Sequence, residues 1–415
     1  MRVRPKVLAH LASAALLACG AGCAHGPRPA PALPVVHAAP VHVTAGDPTD
    51  ALLATLNDEE LFAKGNAAYA SADYALAAKA FDRLCDVFPK SPHFAAATYN
   101  AGLAHEQLAA KAPGDAAALE WDKAVYRYQP LLDIEHGTHD QIDAGFRAAE
   151  CLYHLDKYAD AIALLRRIQA RTDLSANLLL EAETQVGICQ VELGELEGGE
   201  HTLRDVVHKY ESATDAERLD DYYPAQAQFF LGEIYRGYFE QVVLDPNLPG
   251  GTDKLAQDLE YKAEMLLSAQ GHYLRAIRMG NPRWATASGQ RIGELYESLY
   301  DDMTRAPVPD DLDPEQAALY RQALRKKVRV LVTKAVNVYE STLEAAQRTG
   351  TTGAFIAQAQ ASLERMKAVL LADAAPPSVP APPAPAPAPV PSAPAPKKPS
   401  SARSVAPRGA GAGRG

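Results

Sequence analysis

Residues 61–89, LFAKGNAAYASADYALAAKAFDRLCDVFP, carry small and aromatic side chains at intervals that a single helix does not explain. The stretch reads as two helices folded against each other. Gly65 and Ala67 cut a notch of small side chains into the first helix, and Ser71-Ala72-Asp73 offers a turn. On the second helix Ala77, Phe81 and Leu84 fall at i, i+4 and i+7, which is one stripe of a helix surface. Pro89 then ends it.

That order (Gly65, Ala77, Phe81, Pro89) resembles the tetratricopeptide repeat of about 34 residues, with its small residue on helix one, its small-x3-aromatic pair on helix two and its closing proline. The unit returns. Tyr99, Gly102 and Leu108 mark a second first helix, whose partner is displaced by an insertion, Ala109 to Leu119, before Ala124 and Tyr128 restore the pair. A third unit has Ala149 where Gly is usual, then Tyr158, Ala161, Leu165 and Ile168; a fourth has Gly187, Gly194, Gly199, Leu203 and Val206. The fifth carries Leu231-Gly232-x2-Tyr235, an insertion around Asp245–Gly251, then Ala269, Tyr273 and Ala276 closed by Asn281-Pro282. The sixth, Ile292-Gly293-Glu294-Leu295-Tyr296, is followed by an insertion from Asp301 to Pro314 and a long helix around Ala335 and Tyr339. An amphipathic segment, Ala354 to Leu371, would cap the array.

The resemblance implies an all-α fold, a right-handed α-solenoid over residues 58–372, because one hairpin cannot bury its own apolar face and neighbours must stack. Solenoids of HEAT-like or other α-hairpins are the competing reading of Ala-rich helices. A composition of 47% hydrophobic, 22% charged and only 7% aromatic residues suits Ala/Leu-rich helices. The net charge of −10 argues against a surface that neutralises many phosphates, so no nucleic-acid partner is expected.

The prolines gather in two flanks, Cys23–Pro48 and Pro376–Pro399. Ahead of the first, Arg2, Arg4 and Lys6 precede the apolar run Val7–Ala18, the pattern of an export signal over residues 1–18 that is too short to span a bilayer. Leu16-Leu17-Ala18-Cys19 resembles the lipobox of bacterial lipoproteins, which implies an acylated Cys19. Cys23 is the rival; it follows Gly20-Ala21-Gly22 and lacks the apolar residue three positions earlier. An ordinary secretory signal with two incidental cysteines is the other alternative. Gly20 in place of the Asp that signals inner-membrane retention points, by the same resemblance, to the outer membrane. Residues 19–57 are then a Pro/Ala-rich tether, and residues 373–415 a disordered tail ending in Lys397, Lys398, Arg403, Arg408 and Arg414. Such a tail offers a contact to peptidoglycan or a Pro-binding module, or serves only to solubilise.

Signatures of catalysis are missing: no His-Glu-x2-His, no Gly-x-Ser-x-Gly and no Gly-x4-Gly-Lys. Neither enzyme activity nor a cofactor is expected. Glu135, His136, His139, Asp140 and Asp143 approach a metal-ligand spacing, but they fall at a repeat junction where a solvated loop is expected. Cys85, Cys151 and Cys189 read as buried thiols.

In the repeat family, partners dock on the concave groove lined by first helices. Its positions map to Phe62, Asn66 and Tyr69 in the first unit and to Tyr99 and Glu106 in the second. Phe146, Glu150 and Tyr153 follow in the third, Phe229, Glu233 and Arg236 in the fifth, and Glu294 and Glu297 in the sixth. The groove is expected to be aromatic with an acidic rim, suited to a partner segment bearing Lys or Arg. Aromatics at the fifth repeat position would alternatively pack against the next repeat. Asn66 and Asn100 without groove lysines and arginines do not make a carboxylate clamp. The whole resembles a periplasm-facing outer-membrane lipoprotein that scaffolds a trans-envelope complex of motility, export or secretion type. The alternatives are a β-barrel assembly accessory and a peptidoglycan-associated spacer.

Overall fold

The computed structural model describes residues 47–133, 137–214 and 219–374. The export signal, Cys19, Cys23, most of the tether, Glu135, His136 and the tail beyond residue 374 lie outside the described residues.

Among the described residues, fourteen α-helices succeed one another without a strand. A short helix, α1 (Pro48–Leu53), precedes six antiparallel hairpins: α2 (Asp58–Ala70) with α3 (Tyr74–Val87), α4 (Phe94–Lys111) with α5 (Gly114–Tyr128), and α6 (His139–His154) with α7 (Tyr158–Gln169). There follow α8 (Ala176–Glu192) with α9 (Leu196–Ser212), α10 (Tyr222–Gln241) with α11 (Gly251–Arg278), and α12 (Pro282–Arg305) with α13 (Pro314–Thr349). Helix α14 (Ala354–Ala374) closes the series, and the chain divides into two units after Leu371. From α2 to α13 each helix packs on its neighbours in sequence, and the first helix α10 also meets α8 and α12. This is an all-α solenoid of tetratricopeptide-type hairpins, with its six units where the sequence repeats fall.

The tight turns share one backbone solution. Ala72, Asp156 and Gly194 adopt left-handed φ values of 61°, 59° and 84° between the two helices of the first, third and fourth hairpins. The next residue in each, Asp73, Lys157 or Glu195, donates its N–H to the carbonyl of Ala68, Leu152 or Gln190 at 2.9 Å. That six-to-one bond closes the helix end and reverses the chain in three residues.

What holds the two helices together is a close approach at one point. A Cβ built on Gly65 would lie 2.5 Å from the Phe81 ring; on Gly102, 2.4 Å from Tyr128; on Gly232, 2.5 Å from Tyr273; on Gly293, 2.4 Å from Tyr339. All four rings are fully buried. In the third hairpin the buried ring position is occupied by Leu165, and there Ala149 replaces glycine. In the fourth hairpin Leu203 fills that position opposite Gly187, so glycine faces every one of these rings while leucine is met by alanine or glycine.

The sequence insertions turn out differently from loops. Residues 109–119 are mostly helical: α4 runs on to Lys111 and α5 starts at Gly114, leaving only Ala112 and Pro113 between them. Likewise α11 begins well before Ala269, and α12 continues to Arg305. Added residues become extra turns because a helix end can lengthen without disturbing the packed centre. The two true loops are joined, with Asn247 donating to the Val308 carbonyl at 3.0 Å and accepting from Asp310 N–H at 3.0 Å. The end of the expected tether is corrected too. Asp47 caps α1, Leu53 is buried in the first core, and Lys79 pairs with Asp47 and Asp50.

Buried apolar side chains form two clusters, one spanning Leu53 to Ala104 and the other beginning at Ala124. Between them lies a polar seam. His105 on α4 is 4% exposed and places Nδ1 2.6 Å from Glu120 of α5 and Nε2 3.1 Å from Asp82 of α3. Arg127 joins Asp82 at 2.8 Å and Asp86 at 2.7 Å. Burial opposes the imidazolium, but hydrogen bonds and charge from Asp82 and Glu120 outweigh it and raise the His105 pKa.

Gly293→Ala is expected to lower stability by about 1–3 kcal/mol, since Tyr339 must leave its place; the shift of the urea midpoint measures it. For His105→Gln the loss should depend on pH. A pKa raised above the unfolded value of about 6.5 gives stability that is complete below that pH and disappears as pH rises through the folded pKa. Melting curves should therefore separate the variant from the parent by about 1–3 kcal/mol in acid, with the gap narrowing in alkali.

Candidate functional site

The surface expected to meet partners is the face of the first helices, and its chemistry depends on which side chains packing leaves free. Several expected groove residues are not free. Phe229 is fully buried, with Phe230, Tyr273 and Trp284 around its ring, and Phe146 and Tyr153 are 9% and 7% exposed. Phe62 is half-buried and stacks on His93, which opens the next hairpin. Residues at the fifth repeat position point along the stack toward the following hairpin, so aromatics placed there join the core.

The carboxylates Glu106, Glu233 and Glu297 are corrected for a related reason: each is engaged inside the fold. Tyr128 Oη donates to Glu106 at 2.5 Å, and Arg147, from the next first helix, reaches the same carboxylate at 3.1 Å. Tyr273 donates to Glu233, which also takes Arg291 of the next first helix at 3.1 Å and Arg236 at 2.9 Å. Tyr339 donates to Glu297 at 2.9 Å, and Arg365 of α14 closes that set. The pattern is a tyrosine over a glycine, a glutamate that accepts from it, and an arginine from the next repeat. Burial works against the Glu233 carboxylate, but Arg236 and Arg291 prevail and hold its pKa below the usual value. Arg236 and Glu294 are likewise paired, to Glu233 and Glu240 and to Arg291 respectively.

What stays open is an acidic stretch on α6 and α8. A cavity of about 140 Å³ is bordered by Asp143, Phe146, Arg147, Glu150, Tyr153, Glu181 and Gln185. Three expected residues, Phe146, Glu150 and Tyr153, thus meet at one place, with only Glu150 projecting fully into solvent. Tyr153 Oη donates to Glu192 at 3.1 Å, and Tyr99 donates to Asp143. Burial and the nearby charges of Asp143 and Glu150 raise the pKa of Glu181; burial and the charges of Glu233 and Asp156 raise that of Glu192. Asn66 is exposed and accepts from Asn100 at 3.2 Å, with Tyr69 half-buried one turn away.

Asp143 and Glu181 escaped the groove assignment, although each lies six residues before its repeat's small residue, Ala149 or Gly187, and the same register exposes both. Among the described residues, no group of three or more His, Cys, Asp or Glu is placed to hold a metal ion. His139 and Asp140 open α6, while Asp143 turns to Tyr99 and Arg147. Cys85, Cys151 and Cys189 are free and buried, and burial pushes the Cys189 thiol up to about 12. No described helix is long and apolar enough to cross a membrane.

No protein-family model matches the sequence, and no curated protein matches it. Similar solved structures include a TPR repeats protein from Bacteroides fragilis, 13% identical, over 76% of this chain and 100% of that one, with a TM-score of 0.28. A tetratricopeptide repeat protein from Parabacteroides merdae is 13% identical over 75% and 98%, with a TM-score of 0.33. The apo form of RapI is 10% identical over 77% and 98%, with a TM-score of 0.36. The fold itself stands on the repeated glycine–ring contacts and turns of this chain.

Replacing Glu233 by Gln is expected to destabilise the fold by up to about 3–5 kcal/mol, because Arg291 and Arg236 would lose the buried carboxylate they share and keep only the more exposed Glu294 and Glu240. Chemical denaturation reads this, and Glu150→Gln, at an exposed position, should change stability by less than about 0.5 kcal/mol.

Proposed function

We propose that the chain is a non-catalytic scaffold lipoprotein, anchored through an acylated Cys19 on the periplasmic side of the outer membrane. Its first-helix face holds cationic segments of partner proteins within a trans-envelope complex of motility, export or secretion type. One observation carries the docking role: the acidic opening between α6 and α8, where Glu150 stands exposed beside Asp143 and Glu181. Lysine or arginine entering there relieves the like-charge repulsion from Asp143 and Glu150 that adds to burial in raising the Glu181 pKa. Support for the anchor comes from Leu16-Leu17-Ala18-Cys19 and the charged and apolar segments before it. Several acyl chains hold a protein durably where one chain does not.

A photo-crosslinking residue at position 150 of the full chain, in cells, is expected to capture a defined set of envelope proteins. Glu150→Lys with Glu181→Lys, at unchanged helicity, should lose that set; an unchanged capture would remove the docking role from this face. Binding of the identified partner should weaken as pH falls through the raised pKa values of Glu181 and Glu192, since protonation removes the attracting charge. The anchor is read separately by labelled palmitate, incorporated by the parent and by Cys23→Ser but not by Cys19→Ser.

A further inference from the structure

Helix α13 is the longest among the described residues, and its start is strongly specified. Asp313 caps it and forms a reciprocal pair with Gln316, while Pro314 occupies its first turn. Gly293 of α12 faces Tyr339 and Gly289 faces Thr342. Running that antiparallel pairing back toward the loop, α12 ends at Arg305 while the opening turns of α13 continue past it. Those turns bury Ala317 and Val328 on one side only.

Away from that buried stripe stand Arg329, Lys326 and Lys327, with Arg325 flanking it and Arg321 close to it, all five exposed. Among the described residues, none of them pairs with a carboxylate. Arg127, Arg147, Arg236 and Arg291, by contrast, are each held by acidic partners. In a chain of 51 acidic and 41 basic residues, a run of unpaired cations within nine positions is a local departure from the composition. Leu319 and Val330 adjoin it, 61% and 56% exposed. Eleven residues apart, they fall on one side of the helix, on an arc beside the one that carries Arg325, Lys326 and Arg329.

We propose that this outer face of α13, from Leu319 to Val330, docks on an anionic lipid surface, lying in the plane of the headgroups. Cations on one arc and exposed aliphatic side chains on the next are the arrangement of an interfacial helix: the charged ends meet lipid phosphates while the long stems, Leu319 and Val330 settle toward the acyl boundary. An acidic protein partner would use the cations but leave Leu319 and Val330 without a function. The surface belongs to the sixth hairpin and is separate from the acidic opening between α6 and α8, so either can fail without the other.

The test is vesicle flotation of the full chain carrying Cys19→Ser and Cys23→Ser, so that no acyl group contributes. The chain is expected to float with phosphatidylglycerol-containing vesicles and not with pure phosphatidylcholine, and to be released by salt. Arg325→Gln, Lys326→Gln and Arg329→Gln together should lower that binding by at least about tenfold at unchanged helicity, the basic residues of the tail being intact. Leu319→Ala with Val330→Ala should weaken it while preserving its salt dependence. Equal flotation of the triple variant overturns the proposal, and so does a parent chain that stays soluble with anionic vesicles. A chain that ignores vesicles but is retained by immobilised polyglutamate through the same arginines and lysine has a soluble acidic partner, which also overturns it.

Discussion

The contact of a small first-helix residue with a bulky second-helix side chain is the constraint on which the rest of this structure depends. Where the ring is Phe81, Tyr128, Tyr273 or Tyr339, the opposing residue is glycine, and no heavier side chain fits the space. Where the bulk is only leucine, the place is held by alanine opposite Leu165 and by glycine opposite Leu203. Fixing this one point sets how closely the two helices approach. Helix length then becomes free to vary outward from it, which is why α4, α11 and α13 carry extra turns without changing the stacking.

A second layer is built on the first and runs across repeats. Once a tyrosine ring lies over its glycine, its hydroxyl is carried to a first-helix glutamate and must find an acceptor there, because a buried hydroxyl without one is costly. Glu106, Glu233 and Glu297 supply it, and each is then answered by Arg147, Arg291 or Arg365 from the next first helix. A solenoid gains stability from both the unit and its interface with the neighbour. Here a single tyrosine takes part in both, as ring within the hairpin and as donor to the ion pair between hairpins.

These layers were not equally legible. A small residue on each first helix and a small-x3-bulky pair on each second helix report the interlock directly, so the six hairpins, the turn at Ser71-Ala72-Asp73 and the closing helix could be read from the chain. Groove residues could not be read as safely. Phe229 and Glu233 satisfy the spacing of a first-helix face, yet their fate is decided by Trp284 and Arg291, which arrive from a later hairpin. Periodicity tells which face of a helix a residue occupies and is silent on what the next repeat lays over it. Glu150 remained available because no cation of the following helix reaches it, whereas Glu106, one repeat earlier, was claimed by Arg147.

The same reasoning accounts for the seam between the two cores. Cooperativity in a stacked array passes only through nearest-neighbour interfaces, so an interface built from charges divides it more readily than one built from apolar contacts. At α3, α4 and α5 the apolar clusters stop on either side of His105, Asp82, Glu120 and Arg127, and continuity is carried by hydrogen-bonded charge. The His105 pairs in this network contribute fully only while His105 keeps its proton, in contrast to the Arg127 pairs and the Glu233 set, whose arginines are charged at every accessible pH. Helices α1 to α4 are therefore joined to the remaining repeats in part by a link that titrates at His105, beside the Gly102–Tyr128 contact and the Arg127 pairs, while the Glu233 set joins its hairpins through arginines that stay charged.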